Sequence, residues 1–256
     1  MKPRTGSFTR ILIAAALCVP LSLPLLSTIA RAEISGGPPV GLPVMQISGQ
    51  GFGEGLQAGD RVQARLFIWS LEGADQSILG PDVPLFEPGC VAKFGEGVQC
   101  AYFPVLANAV FAEYFDTAAP DVPGDTAIRF ASNETWRIFF DPKPDGTRTY
   151  ENLASFEKGN PIANYSAREW ITADPQSNFI MPRNILKLVS SSPVVLNGVT
   201  IDFAKIAPRV MGIGHAHSLT PLATPEPIPN EPPFGSRPGL FITHDALSGT
   251  FQAVQQ

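Results

Sequence analysis

The chain has 256 residues, of which 44% are hydrophobic and 16% charged, and its formal net charge at pH 7 is −5. It contains 26 prolines and 23 glycines without the three-residue period of collagen. This composition excludes a highly charged disordered chain and a coiled coil. An acidic chain without a cluster of Lys and Arg along the sequence is also a poor candidate for binding nucleic acid or an anionic membrane.

The first 32 residues are predicted to be a cleaved secretory signal peptide. A basic start is followed by an apolar run over residues 11–30, and Ala30-Arg31-Ala32 has the small residues of a cleavage site. Pro20 and Pro24 interrupt the apolar run, which favours cleavage over retention as a membrane anchor. We therefore expect a secreted or periplasmic protein, with residues 33–256 as a single all-β domain of net charge −9 and no integral membrane segment.

The remaining chain shows two-residue alternation of apolar and polar side chains, interrupted every 8 to 15 residues by Gly, Pro, Asn or Asp. This pattern is typical of antiparallel strands. The clearest strand runs over Asp60–Leu71, preceded by a glycine-rich segment at 49–55 that we interpret as a flexible turn. Further strands are expected at Val44–Ser48, Val98–Val105, Ala127–Ala131, Thr135–Asp141, Thr147–Phe156, Ile162–Thr172, Phe179–Val189, Pro208–Ile213 and Leu240–Asp245.

Two cysteines, Cys90 and Cys100, follow the signal segment. In an oxidising compartment a pair separated by a Gly-containing segment most simply forms one disulfide, which stabilises a loop of this size by about 2–3 kcal/mol. The spacing is far from C-x-x-C, so we do not expect a redox-active pair.

Helix is scarce in the pattern. Asn108–Phe115 fits either a short helix or a strand, and Asp202–Ala207 fits a single helical turn stopped by Pro208. Asn197-Gly198 between β-branched residues predicts a two-residue hairpin. The sequence therefore indicates an all-β protein, either an antiparallel β-barrel or a β-sandwich, and we favour a filled sandwich over a ligand-holding barrel.

Long Pro/Gly-rich loops are predicted at Glu72–Gly89, Asp116–Asp125 and Thr220–Gly239. The third contains seven prolines in twenty residues, which removes backbone donors and favours an extended surface segment. It would serve as a linker, as a lid over one end of a barrel, or as a binding surface.

The three histidines, His215, His217 and His244, all lie in the last 42 residues. Residues two apart on a strand face the same side, so His215 and His217 would project together. If the strand of His244 pairs with theirs, the three imidazoles form a site suited to zinc or another transition metal. The simpler alternative is that these histidines are solvent-exposed and bind nothing.

Sequence motifs for catalysis are absent from this chain, which has no G-x-S-x-G, phosphate-binding glycine loop or S-x-x-K in a supporting context. Glu134 and Glu169 are one carboxylate pair of the kind that cleaves glycosides, but no spacing brings them together in sequence. We expect an exported soluble protein with a binding or structural role and no cofactor, whose partner is an apolar or amphipathic small molecule or a surface partner. The alternative is a metal-binding protein or metal-dependent enzyme built on the three histidines.

Overall fold

A computed structural model describes residues 40–53, 58–72, 83–116, 126–131, 133–174, 179–218 and 244–254. All of them belong to one compact unit that extends over residues 34–256. The strands of these ranges are β1 (Pro43–Gly53), β2 (Arg61–Leu71), β3 (Pro104–Asp116), β4 (Thr126–Phe130), β5 (Glu134–Phe140), β6 (Asn160–Asp174), β7 (Phe179–Ser191), β8 (Val194–Leu196), β9 (Val199–Ile201), β10 (Arg209–Ser218) and β11 (His244–Ala253).

The main sheet is a closed antiparallel barrel. Its order is β2-β1-β11-β10-β7-β6-β4-β3-β5, and pairings of β2 with β3 and of β5 with β6 close it. Strands β4 and β5 each pair with both β3 and β6, so the two short strands share one position in the barrel. Nine strands therefore occupy eight positions around it. Among the described strands of this sheet, closure leaves no unpaired edge, so the barrel alternative is confirmed and our preference for a sandwich is wrong.

The barrel interior carries an apolar core at one end. Leu66 and Ile68 of β2 are fully buried there, on the face that the alternation predicts, and they join Trp136, Tyr165 and Phe251 from other strands. The opposite face of β2 is covered at Arg65 and Phe67, whereas Trp69 on the same face is exposed. This second cover comes from the connection between β5 and β6, which lies against the outside of the strand.

A short helix and a small hairpin lie at the apolar end of the barrel. The helix α3 (Phe203–Ile206) buries Phe203 and Ile206, and the Tyr165 hydroxyl donates a 3.0 Å hydrogen bond to the Ala207 carbonyl. The predicted hairpin turn is confirmed between β8 and β9, where Asn197 and Gly198 have φ of 50° and 83°. Positive φ at both positions suits Asn-Gly because neither residue is strongly penalised there.

Two strand predictions are wrong at this end. The start of Val98–Val105 is a 3₁₀ turn (Val98–Cys100) that follows helix α1 (Pro88–Phe94), and Thr147–Phe156 contains the short helix α2 (Leu153–Phe156) instead of a strand. Neither segment forms the expected strand because the buried Arg148 side chain donates hydrogen bonds to carbonyls of both. Cys90 and Cys100 lie at disulfide distance in this region, with Cα atoms 5.5 Å apart, as predicted.

The glycine-rich segment at 49–55 is not simply a turn, since β1 continues through it as far as Gly53. A Cβ at Gly49 would lie 2.2 Å from the Arg65 carbonyl oxygen, so the close approach of β2 requires glycine. The ambiguous segment Asn108–Phe115 is part of strand β3. The proline-rich segment Thr220–Gly239 lies outside the described residues, as do most of the residues in the other two predicted loops.

The short helices of the described ranges all lack the length and apolar character of a membrane-spanning helix.

Candidate functional site

A polar cluster lies inside the barrel, beyond the apolar core. Its members are Glu134 on β5, Glu169 on β6 and Asn184 on β7. Glu134 is 1% exposed and Asn184 6% exposed, which is unusual for such residues and requires polar partners or a role. Alternation along each strand places the three side chains on the interior face, together with Trp136, Ala167 and Leu186 of the core.

Strand register brings the cluster together. Glu134 stands opposite Ala167, two residues before Glu169, and Glu169 stands directly opposite Asn184. On its other side Asn184 is opposite Gly212 of β10, which has no side chain to fill the space beside it. Residues that are opposite or diagonal on neighbouring strands have Cβ atoms within about 8 Å of one another, so these polar groups share one region of the interior.

One oxygen of Glu134 has a protein donor. The Trp136 indole N–H donates a 2.8 Å hydrogen bond to Glu134 Oε1, between two buried side chains on the same strand. The Trp136 ring in turn packs edge-on against Phe251, with centroids 5.5 Å apart. Both rings belong to the apolar core, and the hydrogen bond from Trp136 holds the Glu134 carboxyl in place.

The carboxyl group of Glu134 also interacts with the carboxyl group of Glu169. No N–H or hydroxyl of a described residue donates to Glu134 Oε2, but the two carboxyl groups are within hydrogen-bonding contact. Two carboxylates cannot both remain charged at such a distance in a buried site, so the pair shares a proton.

Burial and proximity raise the pKa of both carboxyl groups. Desolvation raises the pKa of Glu169 well above its ordinary value, and the neighbouring Glu134 charge raises it further. Desolvation also raises the pKa of Glu134, but its hydrogen bonds from Glu169 and Trp136 act in the opposite direction. We therefore describe Glu134 and Glu169 as two carboxyl groups that share one proton, with one negative charge between them.

Asn184 contributes an acceptor that is still unused. Its Oδ1 atom is buried and receives no hydrogen bond from the described part of the chain. Leaving such an acceptor without a donor costs about 1–3 kcal/mol, so Asn184 Oδ1 requires a donor from outside the described residues. A buried water would be the simplest donor, and a ligand hydroxyl or amine would be a functional one.

The interior around the cluster is built from small residues. Glycines at 212 and 214 on β10 and at 249 on β11 occupy neighbouring register positions, and Ala167 lies between Glu134 and Leu186. A Cβ at Gly212 would come within 2.4 Å of the Phe251 ring, so this glycine makes room for the aromatic floor of the site. Strands β1, β3, β6 and β10 have their C-terminal ends at this polar end.

The structure describes the two strands that carry the three histidines, but it describes the side chain of His215 alone. His215 is exposed, and its Nε2 lies 3.5 Å from Ser248 Oγ. The register places His217 opposite Asp245 and His244 opposite Ser218. The side chains of His217 and His244 are not described, so the three-histidine metal site stays a prediction. Among the side chains that are described, no group of three His, Cys, Asp or Glu residues is arranged to hold a metal ion.

Sequence reasoning named two of the cluster residues and missed the third. Glu134 and Glu169 form a pair, but their carboxyls touch, which is closer than the roughly 5–9.5 Å that glycoside hydrolysis requires. Asn184 carries no sequence signal except one: it is a polar residue at an interior position of the alternating β7 strand, between Pro182 and Leu186.

The chain matches no protein-family model, no curated protein and no solved structure.

Proposed function

We propose that the polar end of the barrel binds a small amphipathic molecule, in an exported protein. The observation that carries this proposal is the unused Asn184 Oδ1 acceptor beside the Glu134–Glu169 pair. An apolar interior with a few convergent polar groups is the usual composition of a small-molecule site. The ligand would place its apolar body among the small residues of the interior and its polar group at the cluster.

The chemistry of the cluster determines which polar group the proposed ligand would carry. Asn184 Oδ1 accepts a hydrogen bond, and the carboxyl pair carries one negative charge, so both favour a ligand that donates. A hydroxyl or an amine satisfies this requirement, whereas a carboxylate or phosphate would be repelled by the buried charge. We therefore expect the ligand to be an alcohol or amine with an apolar body.

Intrinsic fluorescence can test this proposal because Trp136 lies at the cluster. The probes are dodecan-1-ol and dodecyl methyl ether, which differ by the hydroxyl donor, in a Trp69→Phe/Trp170→Phe background. We expect saturable binding of the alcohol with about tenfold higher affinity than the ether, since one hydrogen bond to a polar buried site contributes about 1–1.5 kcal/mol. Asn184→Leu should weaken alcohol binding to the level of the ether.

The matched control is Asn164→Leu, which removes an asparagine from the outer face of β6, where Asn164 donates to Ser190. It should leave the preference for the alcohol unchanged. If neither probe binds saturably, or if Asn184→Leu leaves the preference intact, the unused acceptor serves a buried water and the proposal is wrong.

A further inference from the structure

The carboxyl pair inside the barrel carries a negative charge that the described chain does not balance. Glu134 and Glu169 share one proton, so one charge remains on the pair. Within the described ranges, the groups that act on these carboxyls are each other and the Trp136 indole, and none of them is a cation. A buried charge without an opposite charge is strongly unfavourable, so the cluster favours the arrival of a cation.

The strands around the cluster do not turn a basic side chain towards it. The interior positions beside Asn184 on β7 and β10 hold neutral residues, which are Pro182, Leu186, Gly212 and Gly214. The basic residues of β6 and β7 are exposed on the outer face of the sheet, and they are Arg168, Arg183 and Lys187. These walls of the site therefore leave the counter-ion to a ligand.

The cluster offers several hydrogen-bond acceptors to one ligand group. Asn184 Oδ1 and Glu134 Oε2 are buried, and neither accepts from an N–H or hydroxyl of a described residue. Glu169 stands directly opposite Asn184 and contacts Glu134. A primary ammonium group has three N–H donors and a positive charge, whereas a hydroxyl has one donor and no charge. The ammonium therefore matches both the acceptors and the charge of the cluster.

Folding has already met part of the cost of binding a cation here. The carboxyl pair is removed from water in the folded protein, so the ammonium head is the only charged group that loses its water on binding. Hydrogen bonds that involve an ionised group are stronger than those between neutral groups. Gly212 stands opposite Asn184 and Ala167 stands opposite Glu134, and such small neighbours suit a compact head.

We propose that the interior cluster binds a primary ammonium ion with an apolar body. Its N–H groups donate to Glu134, Glu169 and Asn184, and its charge neutralises that of the carboxyl pair. This inference rests on the proposed function, which assigns a small amphipathic molecule to the polar end of the barrel. It narrows the ligand from an alcohol or amine to an amine in its cationic form.

Three probes with the same dodecyl chain separate charge from hydrogen bonding. They are dodecylamine, which is cationic at pH 7, dodecyltrimethylammonium and dodecan-1-ol, each used below its micelle concentration with the full chain in the Trp69→Phe/Trp170→Phe background. We expect Trp136 fluorescence to show the primary ammonium binding at least about tenfold more tightly than the alcohol. The trimethylammonium ion should bind at least about tenfold more weakly than the primary ammonium, because it has no N–H donor.

A double variant removes the charge and keeps the size of both side chains. In Glu134→Gln/Glu169→Gln the ammonium should lose its advantage over the alcohol. Glu157→Gln is the matched control, since Glu157 forms an exposed ion pair with Arg137, and it should leave the affinity for the ammonium within twofold. The comparison of the three probes on the intact cluster does not depend on whether the double variant folds.

The outcomes separate this inference from the proposed function. If the ammonium binds no more tightly than the alcohol, or if the primary and quaternary ammonium ions bind equally, this inference is wrong. Saturable binding of the alcohol that depends on Asn184 would support the proposed function even then. An ammonium preference that survives in the double variant would also overturn the inference, because the pair would not be its source. If no probe binds saturably, both proposals are wrong.

Discussion

One proton decides the charge inside the barrel. Glu134 and Glu169 come from different strands, and their carboxyl groups meet in a region from which most water is excluded. With the proton present, the charge of the Glu134 and Glu169 pair is reduced to one, and Trp136 donates a hydrogen bond to Glu134. Without it, two negative charges would be adjacent in a desolvated site. The pair therefore links the protonation of one residue to the stability of the whole interior.

Glu169→Gln should remove a pH dependence from the stability of the protein. Since the folded pKa of Glu169 lies well above its ordinary value of 4.5, the folded state keeps a proton that the unfolded chain releases. The free energy of unfolding should then fall as pH rises from about 4.5 towards the folded pKa, whereas glutamine cannot ionise. Urea unfolding at pH 5, 6, 7 and 8 should show the variant gaining stability relative to the wild type at higher pH.

The exposed Glu157 supplies the control, because Glu157→Gln should give a pH profile parallel to that of the wild type. Parallel profiles for Glu169→Gln as well would mean that Glu169 is already charged in the folded protein. That result would remove the shared proton from our description of the site.

At the scale of elements, a buried arginine organises the segments that close the apolar end. Arg148 is 2% exposed, and its guanidinium donates to Asp141 Oδ2 at 2.7 Å and to the carbonyls of Val98, Ala101 and Ser155. These partners lie at the end of β5, in and just after the 3₁₀ turn, and in helix α2. One side chain therefore joins three segments that are far apart in sequence.

Arg148→Met should destabilise the protein by about 3–5 kcal/mol. The substitution leaves the Asp141 carboxylate and three carbonyls without their donor, and a buried charge without its partner is strongly unfavourable. Urea unfolding at pH 7 measures the loss. Arg137→Met is the matched control: its ion pair with Glu157 is exposed on both sides, so we expect a loss of about 0–1 kcal/mol. Similar losses for the two variants would contradict this assignment.

At the scale of the whole molecule, the described chain runs around the barrel in sequence order. Each strand of the barrel pairs with the next along the chain, with β4 and β5 sharing one position, and β11 returns to pair with β1. The register between the two outermost strands extends from Pro43 with Gln252 to Gly51 with His244. Closure thus joins the two ends of the described chain and buries the apolar core on all sides.

The export that we propose is tested on the whole chain in a bacterial host with an oxidising periplasm. We expect intact-mass analysis of the periplasmic product to show a chain that begins at Glu33, with Cys90 and Cys100 oxidised. Cleavage removes a basic, apolar segment that would otherwise be exposed, and the disulfide forms only where the environment is oxidising. A product that keeps its first 32 residues, or that remains in the cytoplasm with free thiols, would contradict this prediction.

Local chemistry made much of the fold predictable. The alternation in β2, the Asn197-Gly198 turn and the single helical turn after Asp202 depend on neighbouring residues, and each is confirmed. The strand expected over Thr147–Phe156 does not form, because Arg148 donates its hydrogen bonds to carbonyls that are distant in sequence. No local sequence pattern reveals these partners. Glu134 and Glu169 could be named as carboxylates, but only the order of the strands brings them into contact.

The amino-acid sequence by itself determined that this protein is all-β, where most of its strands lie and which cysteines pair, because these properties follow from two-residue periodicity, turn residues and short loop closure. Only the tertiary structure decided that the sheet closes into a barrel and that a carboxyl pair and Asn184 share its interior. These outcomes depend on which strands become neighbours and in which register. That pairing is set by burying the whole core at once, so it cannot be obtained from any single segment.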